Sequence, residues 1–164
     1  MFLSKKCSAF VCVTEELNKL FNKKQKPTLL IKGFNKKGKI ATKSPVDYKY
    51  IFYAGTLLKK YGVYDLIDAF ESLKAKDIKL VIAGHHEEPE FQEYVNKNKN
   101  VVYLGNINNS DIIIYENHSL ANVNPRPFMP EIDKYSIPSK VIEYSSRNSL
   151  VVSGISTSLK MDFK

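Results

Sequence analysis

The hydrophobic positions of the chain follow an alternating pattern, in which short apolar runs are separated by amphipathic stretches of roughly ten residues. Each apolar run ends near Gly, Asn or Pro, which favour turns. Because parallel strands need a crossover connection, usually a helix, the alternation predicts βα units around a parallel sheet. The predicted strands after residue 49 are "YIFYAG", "IKLVIAG", "VVYLG", "LANVNP" and "SLVVSG". The predicted helices are "GVYDLIDAFESL", "EPEFQEYVNK", "NSDIIIYENH" and "PSKVIEYSSRN".

Local signals refine these elements. We expect Asn109 or Ser110 to cap the third of these helices, and Pro138 to lie in the first turn of the fourth. The runs "LVIAG" and "LVVSG" are almost entirely apolar, which is typical of parallel strands buried on both faces. Together the pattern predicts an α/β fold with a Rossmann-like, doubly wound parallel sheet.

The first part of the chain predicts a separate strand, helix and strand. "AFVCV" is a predicted strand, and Thr14 with two following glutamates predicts a capped helix that runs to about Asn22. "TLLIKG" is the next predicted strand, and residues 35–49 have the aperiodic composition of a linker. We therefore predict three segments, 1–34, a linker at 35–49, and a larger domain at 50–164.

Composition narrows the class of protein. Of the 164 residues 43% are hydrophobic, which suits a globular domain with a real core. The two cysteines, Cys7 and Cys12, complete no metal-ligand spacing, and we expect both to be small buried residues in a reducing compartment. Without a signal-peptide pattern or an apolar run of membrane-spanning length, a cytoplasmic location is expected.

The net charge of +8 comes almost entirely from lysine. It suits an anionic membrane face, a nucleic acid or a phosphorylated small molecule, and equally a plain solvated surface. A nucleic-acid-binding module is disfavoured because the chain has no recognition-helix, RRM or zinc-finger pattern.

Glycines and polar residues lie at the predicted carboxyl ends of the strands, where ligands bind in doubly wound sheets. This set comprises Gly55, Thr56, Lys59, Lys60, Gly84, His85, Arg126, Ser139, Lys140 and Glu143. Backbone amides at Gly55 and the following lysines could hold a phosphate, although a plain turn between strand and helix explains the glycine about as well. The segment matches neither the P-loop nor the Gly-x-Gly-x-x-Gly motif.

The helix dipole favours an acidic residue in the first turn of a helix. Glu143 lies beyond that turn, so the dipole alone does not explain it. Its role could be surface solvation, an ion pair with Lys140, or acceptance of two hydroxyl hydrogens from a ribose diol. Pro138, Ser139 and Lys140 would offer free amides, a hydroxyl and a cation to a diphosphate.

The histidines and the lack of nucleophile motifs give little support for a metal site or for hydrolase chemistry. His85 and His86 follow a strand-end glycine, but an exposed loop next to two glutamates explains them better than a metal site does. His118 is expected to be structural at a helix end, and no hydrolase motif is present. We predict no metal site.

Five motifs follow one another along most of residues 46–154. They are "FYAGTLLKKYGVYDLIDAF", "KLVIAG", "NVVYLGNI", "NPRP" and "KYSIPSKVIEYSSRNSLVVSG". Together they resemble the donor-binding half of family 4 glycosyltransferases of GT-B fold. "CSAFVCVTEELNKLF" with "TLLIKG" similarly resembles the last unit of the N-terminal, acceptor-binding half. The resemblance implies an incomplete, truncated GT-B architecture.

The resemblance assigns roles to several residues. It implies that Glu143 binds the ribose hydroxyls of the donor. It also implies phosphate contacts from Gly55, Thr56, Ser139 and Lys140. From their place at the strand ends we further predict phosphate contacts from Arg126 and from Lys59 or Lys60, which could supply the charge that Thr56 lacks. Gly84, His85 and Tyr135 are predicted to contact the nucleotide or sugar.

The chain departs from the family pattern at four places. Thr56 replaces the usual arginine, Tyr61 replaces the usual lysine, and Tyr135 stands where the first acid of a Glu-x7-Glu pair would fall, with Glu131 a weaker stand-in. "SSRN" replaces a turn of small residues and glycine, so we expect a looser helix end after Glu143.

The implied function is transfer of a hexosyl-type sugar, with retention, from a nucleotide-sugar such as a UDP- or GDP-sugar to a polysaccharide or glycolipid acceptor. It needs no cofactor and involves no nucleic acid, and it would take place in the cytoplasm or at the inner face of the cell membrane. The alternative is a non-catalytic, nucleotide-sugar-binding or partner-binding remnant of such an enzyme.

Overall fold

The computed structural model describes residues 3–34 and 43–154. These fall into two compact units, one made of residues 3–34 and 128–142 and the other of residues 43–127 and 143–154. None of the helices in these ranges is both long enough and apolar enough to span a bilayer.

The described residues form seven strands and six α-helices. The strands are β1 (Phe10–Cys12), β2 (Thr28–Leu30), β3 (Lys49–Ala54), β4 (Ile78–Ala83), β5 (Val101–Tyr103), β6 (Ala121–Asn124) and β7 (Leu150–Ser153). The helices are α1 (Glu15–Phe21), α2 (Val63–Ser72), α3 (Glu90–Asn96), α4 (Asn109–His118), α5 (Pro130–Asp133) and α6 (Ser139–Tyr144).

The larger unit is built on a five-stranded sheet in the order β5, β4, β3, β6, β7, with every neighbouring pair parallel. One face packs against α2 and α3 through side chains such as Leu80, Ile82 and Phe91. The other face packs against α4, where Phe52 stacks on Tyr115 with ring centroids 5.4 Å apart. Helices therefore cover both faces, and the prediction of an α/β fold with a parallel sheet is confirmed.

The prediction that "LVVSG" is buried on both faces is wrong. The strand lies at the edge of the sheet and pairs with β6. Leu150 is 72% exposed and Val152 is 52% exposed, whereas Leu80 to Ala83 in β4 are fully buried. An apolar run thus indicates a strand, but only its place in the sheet decides its burial.

The smaller unit contains β1 and β2, which pair in parallel, and α1. Thr14 caps α1 as predicted, since its hydroxyl accepts a hydrogen bond from the Leu17 amide over 3.1 Å. Asn22 closes the following turn by donating to Lys26 O and accepting from Lys26 N, both over 2.8 Å. Cys12 is buried as expected, but the expectation that Cys7 is buried is wrong, because Cys7 lies outside β1 and is exposed.

Some predicted boundaries are wrong. Asn108 occupies the N-cap position of α4, not Asn109 or Ser110, and its side chain makes no capping hydrogen bond. Pro138 lies just before α6, and its carbonyl accepts a hydrogen bond from Val141 N over 3.1 Å. The helix ends at Tyr144, so "SSRN" forms a turn. The three predicted segments stay a prediction, and residues 35–42 and 155–164 lie outside the described residues.

Candidate functional site

The carboxyl ends of β3, β4 and β5 are joined by backbone hydrogen bonds beyond the strands themselves. Gly55 N donates to Ala83 O over 3.0 Å, and Leu57 N donates to His85 O over 2.9 Å. Gly84 N donates to Gly105 O over 2.9 Å. The loops after β3 and β4 therefore lie side by side, which brings Gly55, Thr56, Gly84 and His85 to one edge of the sheet.

Both glycines at this edge are required by close packing. A Cβ atom on Gly84, whose φ is +138°, would lie 1.8 Å from the carbonyl oxygen of Gly55. A Cβ atom on Gly55 would lie 2.7 Å from the hydroxyl oxygen of Tyr53. Sterics alone therefore explain the two glycines, and their predicted contact with a donor stays a prediction.

The loop after β3 also packs against the residues that follow β6. A Cβ atom on Gly62 would lie 2.3 Å from Pro125 O, and one on Gly154 would lie 3.5 Å from Arg126 O. Arg126 is half-buried at this position. The end of β6 and the end of β7 thus lie at the same edge as the glycine loops, as the topology of a parallel sheet requires.

The two predicted lysines are exposed in a 3-10 helix, Lys59–Tyr61, that sequence analysis did not predict. Lys59 N donates to Glu88 Oε1 over 3.2 Å, which ties the loop after β3 to the loop after β4. Lys60 Nζ lies 5.1 Å from the centroid of the Tyr61 ring, within range of a cation–π interaction. Thr56 is exposed beside them. Positive charge is therefore present near the edge, although the usual arginine is missing.

The histidine pair differs in exposure. His85 is exposed, while His86 Nδ1 lies 3.0 Å from Glu88 O and its ring centroid lies 5.1 Å from that of Phe91. Within residues 3–34 and 43–154 no cluster of three or more His, Cys, Asp or Glu side chains could hold a metal ion. His86 thus packs within the loop after β4, as the loop interpretation expects. The prediction of no metal site stays a prediction.

Glu143 lies in the last turn of α6, and its side chain is 31% exposed. Its Oε1 lies 3.6 Å from Nη2 of Arg147, one helical turn further along the chain. The observed ion-pair partner is therefore Arg147, whereas the sequence suggested Lys140. The Glu143 carboxylate is therefore accessible to solvent and also paired with the Arg147 guanidinium group.

Arg147 connects Glu143 to a second, buried carboxylate. Its Nε donates to Glu116 Oε2 over 2.7 Å, and the side chains of Arg147 and Glu116 are only 3% and 0% exposed. Arg147 and Glu116 are the main residues that sequence analysis missed. The only sequence signal was the arginine in "SSRN", which replaces a small residue.

Around Glu116 lies a buried polar network. Its backbone oxygen accepts hydrogen bonds from Asn122 Nδ2 over 2.9 Å, from Ser149 Oγ over 2.9 Å and from Ser119 Oγ over 3.2 Å. Asn122 Nδ2 also donates to Ser149 Oγ. These bonds join the end of α4, the strand β6 and the segment before β7. Ser149 follows the turn after α6, so the network lies next to that turn. The looser helix end expected after Glu143 stays a prediction.

The last residue of α6 locates Glu143 relative to the sheet. Tyr144 is fully buried, and its hydroxyl lies beside the backbone of Ala54, the last residue of β3. Burial raises the pKa of Tyr144, with a smaller contribution from the nearby Glu116 carboxylate. The end of α6 thus lies near the carboxyl end of β3.

Three predicted site residues belong to the smaller unit. Ser139 is exposed and Lys140 half-buried in the first turn of α6. Tyr135 follows α5, and Lys134 Nζ lies 5.0 Å from its ring centroid. Glu131, the weaker stand-in, forms an exposed ion pair with Lys134 over 3.5 Å. Their predicted roles in donor binding stay predictions.

Comparisons with known proteins agree on the class of fold. A family model described as "Glycosyl transferases group 1" matches residues 34–152. The sucrose-phosphate synthase of Thermosynechococcus elongatus shares 16% identity with a TM-score of 0.66, over 93% of this chain and 42% of that chain. The lipopolysaccharide outer core galactosyltransferase WaaB, in its apo form, shares 12% identity with a TM-score of 0.61, over 91% of this chain and 43% of that chain.

At such low identities, the two structural matches establish similarity of fold alone. The chain spans less than half the length of the two solved structures. No match was found among curated proteins.

Proposed function

Because the chain belongs to the glycosyl transferases group 1 family, we propose that it supplies the nucleotide-sugar-binding part of a glycosyltransferase. The observation that carries this proposal is the edge of the sheet where the glycine loops, Arg126 and the end of α6 converge. This is the position at which parallel α/β sheets bind their ligands.

The proposed roles follow from the chemistry of each group. Amides of the loop after Gly55, with Lys59, Lys60 and Arg126, would bind the donor diphosphate, since backbone N–H groups and cations stabilise phosphate oxygens. Glu143 would accept hydrogen bonds from both ribose hydroxyls, which an ionised carboxylate can do bidentately.

The proposed reaction is transfer of a hexosyl-type sugar to a saccharide or glycolipid, with retention of configuration. The donor's own phosphate oxygen would act as the base. The contribution of this chain would then be to orient the donor and to stabilise the negative charge that develops on the leaving diphosphate. A cytoplasmic site of action, at the inner face of the cell membrane, is part of the proposal and agrees with the net charge of +8.

The test is calorimetric titration of the purified chain with UDP, GDP, ADP, UDP-glucose and GDP-mannose. We expect saturable binding of one nucleotide series and a loss of affinity in Glu143→Ala of about 1.5–3 kcal/mol, the range for hydrogen bonds to a charged group. Glu93→Ala is the matched control, because Glu93 forms an exposed ion pair with Lys97 at 3.0 Å on α3. Binding of no nucleotide by the folded chain, or equal affinities in Glu143→Ala and the original, would contradict the proposal.

A further inference from the structure

We propose that Arg147 is a positioning residue that holds Glu143 in the orientation needed to bind a ribose diol, and that Glu116 anchors Arg147. This inference rests on the proposed function and deepens it. It concerns three residues of the larger unit, of which Glu116 and Arg147 were assigned no role from the sequence.

Two nitrogens of the guanidinium group make different contacts. Nε donates to the buried Glu116 carboxylate over 2.7 Å, whereas Nη2 lies 3.6 Å from the partly exposed Glu143 carboxylate. Because the guanidinium group is planar and rigid, fixing one edge also fixes the direction of the other donors. The buried contact is therefore suited to anchor the arginine, and the longer contact to orient the exposed glutamate.

Hydrogen bonds within the turn after α6 also fix the position of Arg147 relative to Glu143. Arg147 N donates to Tyr144 O over 2.9 Å, and Ser146 N donates to Glu143 O over 3.1 Å. Ser146 Oγ donates to Glu143 O over 2.8 Å and accepts from Arg147 Nη1 over 3.2 Å. Hydrogen bonds to the backbone carbonyl of Glu143 thus hold the turn after α6 in place.

The anchor is fixed independently of Glu143. The backbone oxygen of Glu116 accepts hydrogen bonds from Ser119, Asn122 and Ser149, so its position is set by α4, β6 and the segment before β7. A buried ion pair is a weak source of stability, because desolvation offsets much of the attraction. We infer that the buried pair acts by holding Arg147, which in turn restrains the Glu143 side chain. A restrained Glu143 loses less conformational entropy when a ligand binds, and this lowers the free-energy cost of binding.

The test compares each nucleoside diphosphate with its 2′,3′-dideoxy counterpart, which lacks the diol. UDP, GDP and ADP and the three dideoxy compounds are titrated calorimetrically into the original chain and its variants. We expect the original to prefer the ribose form by about tenfold or more, the factor expected for hydrogen bonds to a charged group. Glu143→Ala should remove this preference.

Two variants separate positioning from folding. Arg147→Lys keeps a cation next to Glu116 but loses the planar fork, and Glu116→Gln with Arg147→Met removes both buried charges together. In each, we expect the preference for the ribose form to fall at least fivefold, while the affinity for the dideoxy compound changes less than twofold. Lys97→Met, at the exposed pair on α3, is the matched control and should leave the preference unchanged.

The outcomes distinguish the two levels of the proposal. If Glu143→Ala loses the preference but both Arg147 variants keep it, the positioning role is overturned and the donor site stands. If the original chain binds none of the three diphosphates, the proposed function is overturned and the positioning role with it. A drop in thermal stability without a change in preference would also contradict positioning, because it would leave Arg147 a purely structural role.

Discussion

Gly84 and Gly55 approach so closely that a Cβ atom on Gly84 would lie 1.8 Å from the carbonyl oxygen of Gly55. The two residues follow the neighbouring central strands β4 and β3. Their contact fixes how the two loops leave the sheet, and it therefore sets the geometry of the proposed donor site.

Gly84→Ala should destabilise the fold by at least about 2 kcal/mol, since the added methyl group meets backbone and the φ of +138° is unfavourable for alanine. The measurement is urea unfolding followed by circular dichroism. Gly105→Ala is the matched control: Gly105 has a φ of +68° but nothing lies within 4 Å of its Cβ position. Its cost should be about 1 kcal/mol, so equal losses for both variants would show that the contact with Gly55 is unimportant.

Gly55→Ala should destabilise the fold because the added methyl group collides with the Tyr53 side chain, and not because of backbone strain at position 55. The added Cβ would lie 2.7 Å from the Tyr53 hydroxyl oxygen, which donates to Thr56 O over 3.2 Å. Combining Gly55→Ala with Tyr53→Phe should cost less than the sum of the single changes, by roughly 0.5–1 kcal/mol, because the closest atom is then gone. Additive losses in a double-mutant cycle of unfolding free energies would refute this coupling.

How far these features can be foreseen depends on the range of the contacts involved. Thr14 is predictable as a cap because its signal lies within three residues. At α4 three adjacent residues, Asn108, Asn109 and Ser110, are all able to cap, so pattern alone does not choose between them. The apolar runs predict the five strands of the sheet, but the exposure of Leu150 depends on its place at the sheet edge.

The candidate site is predictable in its parts but not in its connections. The tendency of ligand-binding residues to follow the carboxyl ends of parallel strands suffices to group Gly55, Gly84 and Arg126 at one edge. Each glycine is required because a Cβ atom would collide with a neighbour that the local sequence pattern does not reveal. The neighbour is the Tyr53 side chain for Gly55 and the Gly55 backbone for Gly84. Glu116 and Arg147 are 31 residues apart, and such a pairing has no signature in a single sequence.

Alkaline pH should weaken the fold because buried tyrosines resist ionisation. Burial raises the pKa of Tyr53 to about 12, with a smaller contribution from Tyr61, and burial also raises the pKa of Tyr50 and Tyr144. Above pH 10 the unfolded chain releases these protons while the folded chain retains them. The free energy of unfolding should therefore fall as pH rises, by about 1.4 kcal/mol per pH unit for each such tyrosine between the unfolded and folded pKa values.

Urea unfolding at pH 8, 10 and 11 measures this slope. Tyr53→Phe should be less stable than the original chain at pH 8, since it loses the hydrogen bond to Thr56 O, yet its stability should fall less steeply above pH 10. Identical slopes for the two proteins would mean that Tyr53 does not contribute to the alkaline transition.

Arg147→Met alone should be among the most damaging single changes in the larger unit. It leaves the Glu116 carboxylate, which is 0% exposed, without the cation 2.7 Å away, and breaking a buried pair from one side typically costs about 3–5 kcal/mol. Adding Glu116→Gln should recover most of that loss, because a neutral amide has a far smaller desolvation cost than a carboxylate. The free energy of unfolding of both variants gives the coupling directly. If the double variant is no more stable than Arg147→Met, the loss comes from packing of the long arginine side chain, and charge compensation between Glu116 and Arg147 is not what holds the turn after α6.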